Sequence, residues 1–440
     1  MKSWSNRTLG EICTKITDGA HSSPKSVENG FPMASVKDLN HFGIDLHSAR
    51  HISQADFDGL VLQGCRPQVG DVLIAKDGNS ALDTVCVHRQ DADVVLLSSV
   101  AILRPNEDHV LSDYLKYYFS NRATICYLKS NFISGAAIPR VVLKDFKRAK
   151  IKLPSVPEQT TIVSVLRSLD DKIELNCKTN ETLESMAKAI FKDWFVDFGP
   201  TRRKADGATD PVKILGGLIE DPQRAASIAD LFPPSFGDDG LPEGWGISKL
   251  SHWARDSKET VMPDEVAEET PYIGLEHMPR KSIALDKWES AGKVKSNKSR
   301  FFKGQILFGK LRPYFHKVGI APIDGISSTD IVVIDAFHKA FVPYVATIVS
   351  LDEFVNFTSQ TSTGTKMPRT KWSIMAEFDC INSGPDLTQI FCEIVAPMHD
   401  KIVSSIAENQ TLAATRDLLL PKLMSGEISP NDLPQIGADL

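Results

Sequence analysis

Residues 158–196 carry a stripe that advances in steps of four and three without a slip: Ile162, Leu166, Leu169, Ile173, Asn176, Asn180, Leu183, Ala187, Ile190 and Trp194. That heptad period belongs to a helix burying a narrow seam against a partner helix. Pro154 and Pro157 stand where a helix start tolerates proline, and Gly199-Pro200 closes the pattern. At helical rise, a stretch of about 39 residues spans about 58 Å, the length of a spacer.

The partner helix lies in the same chain. The offset that carries Ile162 onto Phe391 carries the rest of the stripe onto Val395, Met398, Ile402, Ser405, Asn409, Leu412, Arg416, Leu419 and Leu423. Asp171-Lys172-Ile173 lands on Asp400-Lys401-Ile402, and Asn180 lands on Asn409. Shared register with shared identities marks an internal repeat. If the helices lie antiparallel and flush, Asn176 and Asn180 face the neighbourhood of Ser404, Ser405 and Asn409. A buried polar centre of this kind fixes register. Pro397 stands where the first helix has Ser168 and predicts a kink in the second.

The charge distribution separates globular blocks from helices. Residues 1–150 carry 18 Lys and Arg against 16 Asp and Glu, and residues 245–380 carry the same. The net charge of −6 therefore hides two slightly basic blocks and a remainder at −10. Helices with solvated acidic faces would give the same asymmetry. No run of 18 apolar residues and no apolar leader core is found, and the seven cysteines form no C-x-x-C pair. The expected compartment is a reducing cytoplasm, with the thiols as small core residues and no metal among them.

Read in order, 1–153 is a mixed α/β domain and 154–198 the first long helix. Residues 199–244 are a Pro- and Gly-rich linker, and 245–385 a second domain like the first. Residues 386–426 form the second long helix, and 427–440 a tail. Phe31–Val36, Gly70–Lys76 and Val94–Leu103 read as strands, and Leu111–Tyr127 as one helix. Their counterparts are Pro271–Leu275, Gly304–Lys310, the Ser327-Ser328 region and a helix over Phe341–Phe357.

Phosphate-loop, dinucleotide, metal-hydrolase and serine-elbow motifs are missing, as is the Asn-Pro-Pro-Tyr run of adenine methylases. Asp145-Phe146-Lys147 is an isolated acidic-x-Lys triplet, read as domain-edge surface. Two folded domains without visible chemistry point to recognition. The chain resembles the specificity subunits of type I restriction–modification systems. The resemblance rests on the Gly70–Lys76 and Gly304–Lys310 turns, the Pro139-Arg140 and Pro368-Arg369 loops, and the Pro154–Gln159 helix entry. Leu241-Pro242-Glu243-Gly244-Trp245 and Leu420–Ile428 also carry it, and order, duplication and spacing weigh more than any one motif.

The resemblance implies two target-recognition domains, each reading half of a split double-stranded DNA site, and two antiparallel helices that set the gap. It implies two modification subunits gripping the helices, with restriction subunits joining them. S-adenosylmethionine, ATP and Mg would sit on those partners, so this chain would be non-catalytic and hold no cofactor or metal.

DNA reading needs cations and hydroxyls for phosphates, and amide, hydroxyl or guanidinium groups on projecting loops for base edges. In the first domain these are Lys76, Asn79, Ser80, Ser98, Ser99, Ser134, Gly135 and Arg140. In the second they are Lys310, Arg312, Tyr314, His316, Ser327, Ser328, Thr363, Gly364, Thr365, Lys366 and Arg369. Plainer roles compete. Gly135 and Gly364 also suit simple turns, Ser98 and Ser327 suit solvent-facing strand positions, and Tyr314 suits a core. Arg140 and Arg369 also suit anchors within their own domains. The alternative function is a two-domain coiled-coil adaptor that assembles proteins and binds no DNA. Steep weakening by salt would separate a DNA reader from an adaptor.

Overall fold

The computed structural model describes residues 4–78, 81–134, 140–257, 259–364 and 366–429. The chain divides into two compact units, residues 1–174 with 412–440, and residues 175–411. Each unit is a mixed α/β domain joined to a stretch of both long helices, Val156–Phe191 and Pro385–Ser425.

In the first unit the main sheet is four-stranded and antiparallel, in the order Cys13–Asp18, Val100–Pro105, Val72–Ala75, Val85–Val87. All four residues of Val72–Ala75 are buried, which is why the run reads as continuously apolar. A smaller sheet orders Arg50–Ile52, Phe31–Ala34 and Val95–Leu96, the last two parallel. Ser5–Thr8 pairs with Lys150–Leu153, whose alternate residues Ile151 and Leu153 are buried. The second unit repeats this order with Ala254–Asp256, Ile331–Ala336, Ile306–Gly309 and Val318–Ile320. Its smaller sheet keeps the parallel pair, Pro271–Ile273 beside Gly325–Ser327, and adds the strands Thr260–Val261 and Lys298–Phe301. Gly246–Lys249 pairs with Asp379–Asn382, as Ser5–Thr8 does with its partner.

Two sequence expectations are corrected. The helix over Leu111–Tyr127 is two helices, Ser112–Ser120 and Arg122–Phe132, because Asn121 is extended and caps the second by accepting from the Ala123 amide. Its counterpart breaks too, into Val342–Val349 and Asp352–Gln360, with an acidic pair opening the second piece. The 199–244 segment is no loose linker. It holds the helices Gly199–Ala205, Pro211–Ile214 and Pro222–Ala229, and its Ile214, Leu215, Ile228 and Phe232 are buried in the core of the second unit. The turn into it is a π-helical stretch, Lys192–Val196, followed by Phe198 at φ 54°. A Cβ at Gly199 would meet Asp193 Oδ1 at 2.0 Å, so the Asp193–Arg203 ion pair requires glycine there. The second helix runs through Pro397 without interruption, from Pro385 to Ser425. Pro397 is exposed, so the Glu393 carbonyl deprived of its helical donor lies on the side where water is available.

The heptad stripe is the buried face of both helices. Ile162, Leu166, Leu169, Ile173, Ile190, Val395 and Ile402 are buried, while Leu183, Met398, Leu412 and Leu419 are partly covered. In the first unit Ile162, Val163 and Leu166 join one core with Tyr114, Phe119, Leu420 and Leu423, so the seam is continuous with the domain interior. Each fully buried Leu or Ile contributes about 2 kcal/mol. In the second unit Phe191, Trp194 and Phe195 meet Tyr344 and Phe391 in one aromatic cluster. The residue order of these contacts makes the helix stretches antiparallel within each unit. Asn176 donates to Asn409 Oδ1 and Glu408 Oε2, both at 2.8 Å. Asn180 is also buried, but its Oδ1 and the Oγ of buried Ser405 have no hydrogen-bond partner among the described residues. Ser404 is exposed.

Among the described residues no single helix is long and apolar enough to cross a membrane.

Candidate nucleic-acid interface

In both units a central buried strand ends where a loop returns from the second of two short helices, and the joint is built the same way twice. In the first unit the Lys76 amide donates to the Ser99 carbonyl, and the Lys76 carbonyl accepts from Val141. Asp77 then bridges Arg140. In the second unit the Lys310 amide donates to the Asp330 carbonyl, the Lys310 carbonyl accepts from Thr370, and Leu311 bridges Arg369. Backbone groups fix both joints, so each positions whatever side chains it carries.

Those side chains differ. Lys76 is 4% exposed, its ammonium 2.6 Å from Asp18 Oδ2 and 3.9 Å from Asp77. It forms an internal ion pair with its ammonium turned inward, which does not fit its selection as a DNA-contacting residue. Its counterpart Lys310 is half-buried and has no ion-pair partner among the described residues. Arg140 donates from Nε to Asp77 Oδ1 at 3.0 Å, yet its side chain is 58% exposed. Arg369 pairs with Asp330 at 3.2 Å and is similarly exposed. Each arginine is thus tethered at one edge of its fork with the rest facing solvent.

The serines divide. Ser98 and Ser99 lie half-buried in the turn before Val100–Pro105, and Ser99 Oγ accepts from the Val36 amide. Ser327 is fully buried and donates to the Ser299 carbonyl, so its hydroxyl serves the sheet. Ser328 is half-buried, and its Oγ accepts from the Asp330 amide. His316 is also turned inward. Its Nε2 is 3.0 Å from the Ser350 carbonyl and its Nδ1 3.2 Å from Asp352, and burial holds the ring below its usual pKa. Asn79, Ser80, Gly135 and Thr365 lie outside the described residues, and of Ser134 only the backbone, in a strand, is described.

Around Arg369 the second unit gathers its exposed candidates. Thr363 and Arg369 exchange both backbone hydrogen bonds, closing a loop over Gly364 at φ 100° with Lys366 exposed on it. Facing this loop is Arg312, whose amide donates to the Pro368 carbonyl and whose guanidinium reaches the Lys366 carbonyl at 3.4 Å. Tyr314 beside it is 53% exposed, so it is no core residue.

Sequence reading missed the carboxylates that decide these roles. Asp18, Asp77 and Asp330 are acidic residues at strand ends, and nothing local pairs them with Lys76, Arg140 and Arg369. It also missed the exposed segment after Asp18, where the His21 ring lies 3.3 Å from Asp18 and Lys25 faces solvent. The available signal there was a Gly19–Lys25 run of small and polar residues after a strand.

Residues 1–185 match the model of the type I restriction modification DNA specificity domain. Over 97% of its length the chain is 23% identical to the whole of the type I restriction enzyme HindI specificity subunit of Haemophilus influenzae. Over 74% of its length it is 26% identical to 71% of the MjaIX specificity subunit of Methanocaldococcus jannaschii. Among solved structures, the type I restriction-modification S subunit of M. genitalium aligns over 96% of both chains at 13% identity with a TM-score of 0.49. The match to the type I restriction modification DNA specificity domain covers residues 1–185, and the chain as a whole is similar to specificity subunits of type I restriction enzymes.

Proposed function

We propose that this chain is the DNA-reading subunit of a type I restriction–modification complex, in which each unit reads one half of a bipartite duplex site. The observation that carries the reading is the duplicated joint, where one strand end and one returning loop are held by the same backbone bonds in both units. Each joint holds an arginine fixed at one edge and open at the other, the arrangement that base or phosphate recognition requires. The helices set the gap between half-sites, and their outer faces carry two methyltransferase subunits, with restriction subunits joining the same assembly. The chain itself is non-catalytic, and S-adenosylmethionine, ATP and Mg belong to the partners.

Methylome sequencing of cells carrying this chain with its methyltransferase tests the proposal. A split motif with methyladenine in both halves is the expected result. With Arg369→Ala, the half read by the second unit should lose selectivity while the other half is unchanged. A continuous motif, or loss spread over both halves, overturns it.

A further inference from the structure

The second unit carries a feature that electrostatic recognition does not use. The three-residue turn Pro313–Phe315 is flanked by Arg312 and His316, both at φ 52°. Two non-glycine residues in the left-handed region cost energy and persist only where surrounding bonds impose them. Here the bonds are the Arg312 amide on Pro368 and the buried His316 ring on Ser350. The result is a rigid tip that places Tyr314 outward at 53% exposure. Its ring packs edge-on against Phe315, 4.8 Å between centroids. Phe315 is gripped by two guanidiniums, Arg280 at 4.2 Å and Arg312 at 5.9 Å from its centroid. Met367, also 53% exposed, lines the same recess as Phe315.

An exposed aromatic and an exposed thioether thus stand on a stiff support, with Lys366 and Arg369 of the Met367 loop as an exposed cationic rim beside the thioether. Single exposed apolar side chains are ordinary, and it is the rigid, strained support beneath Tyr314 that points to a contact. The rim selects a polyanion. Inside a duplex groove the apolar group open to such a tip is the thymine 5-methyl, displayed in the major groove. Arg280 and Arg312 stack on Phe315, and Tyr314 and Met367 are the apolar groups left to meet a methyl beside the site of Arg369.

We propose that Tyr314 and Met367 form an apolar reading head that recognises thymine methyl groups in the half-site of the second unit. The proposal rests on the DNA-reading function above. Once methylome mapping has given the site, the complex with its methyltransferase is titrated against duplexes in which each thymine in turn is replaced by deoxyuridine. One or two replacements, confined to one half-site, should weaken wild-type binding about fourfold each, the size of one buried methyl. The same replacements should have no further effect on Tyr314→Ala, whereas Tyr314→Phe should behave as wild type because the hydroxyl is not used. If wild type binds its split site and no deoxyuridine replacement matters, the reading head is refuted and the DNA-reading function stands. If no split site is found, both fall. Uniform weakening of all sequences by Tyr314→Ala would assign the tip to the backbone instead and also refute the head.

Discussion

At the scale of single residues, two buried ionisable groups make opposite uses of burial. His399 is 7% exposed, its Nδ1 has no partner among the described residues, and burial lowers its pKa from 6.5 to about 4. The unfolded chain takes up that proton near pH 6.5 and the folded chain only near 4. Stability is therefore complete above 6.5 and falls as pH drops through the interval, by about 2 kcal/mol at pH 5. His399→Leu should abolish that loss, read as the difference in urea midpoint between pH 7 and pH 5. An unchanged difference would remove His399 as the source. Asp170, which occupies the same position of the repeat as His399, is buried but charged. Burial pushes its carboxyl up, yet Lys116 at 2.7 Å and Arg416 at 2.9 Å outweigh that and hold it below the usual range. Its contribution is present at neutral pH and is lost only as pH falls through that depressed value. Asp170→Asn would strand the buried Lys116 ammonium and should cost about 3–5 kcal/mol at pH 7, measured by equilibrium unfolding.

At the scale of the elements, the two asparagines of one seam should respond in opposite directions. Asn176 is buried and bonded to Asn409 and Glu408, so Asn176→Leu removes two hydrogen bonds from the seam and should destabilise by about 1–3 kcal/mol. Asn180 holds a buried, unpaired Oδ1, so Asn180→Leu should raise the melting temperature. Equal effects of the two changes would show that the seam does not distinguish them. The pattern also explains what could be read in advance. The steps of four and three report burial directly, so Ile162 to Trp194 was legible without coordinates. The repeat was legible because a single offset relates the matching identities of the two long helices, and the strands recur in the same order at offsets shifted by small insertions. The fate of a cation was not. Lys76 and Lys310 occupy one position of the repeat, but only Lys76 meets a carboxylate, and Asp18 lies 58 residues away in sequence. The helix breaks at Asn121 and Leu351 were legible in part, since Asn121 is a good capping residue and Asp352-Glu353 a good first turn. The apolar periodicity running through both breaks concealed them. Proline and glycine density misled at 199–244, because those residues mark the ends of short helices as readily as a linker.

At the scale of the molecule, the repeat makes a claim about halves. The first unit needs the end of the second long helix, since Leu420, Leu423 and Met424 cover Ile162, Val163 and Leu166. A fragment of residues 1–215 lacks that cover but contains its repeat equivalents, Phe191, Trp194 and Phe195. Two copies related by a twofold axis supply each other's cover, and such a self-complementary pairing closes as a dimer. The seam centre supports this. Asn409 is the repeat of Asn180, so Asn176 of one copy would face Asn180 of the other, and the amide left unpaired in the full chain gains a partner. One contact is lost, because Arg416 is the repeat of Ala187 and Asp170 keeps only Lys116 and Tyr117. The fragment should therefore sediment as a dimer, and Ala187→Arg should tighten it about tenfold by restoring a charged hydrogen bond to Asp170. With the methyltransferase it should methylate an interrupted palindrome built from the half-site of the first unit. A monomeric fragment, or a dimer that Ala187→Arg weakens, would show that the two halves have diverged beyond exchange.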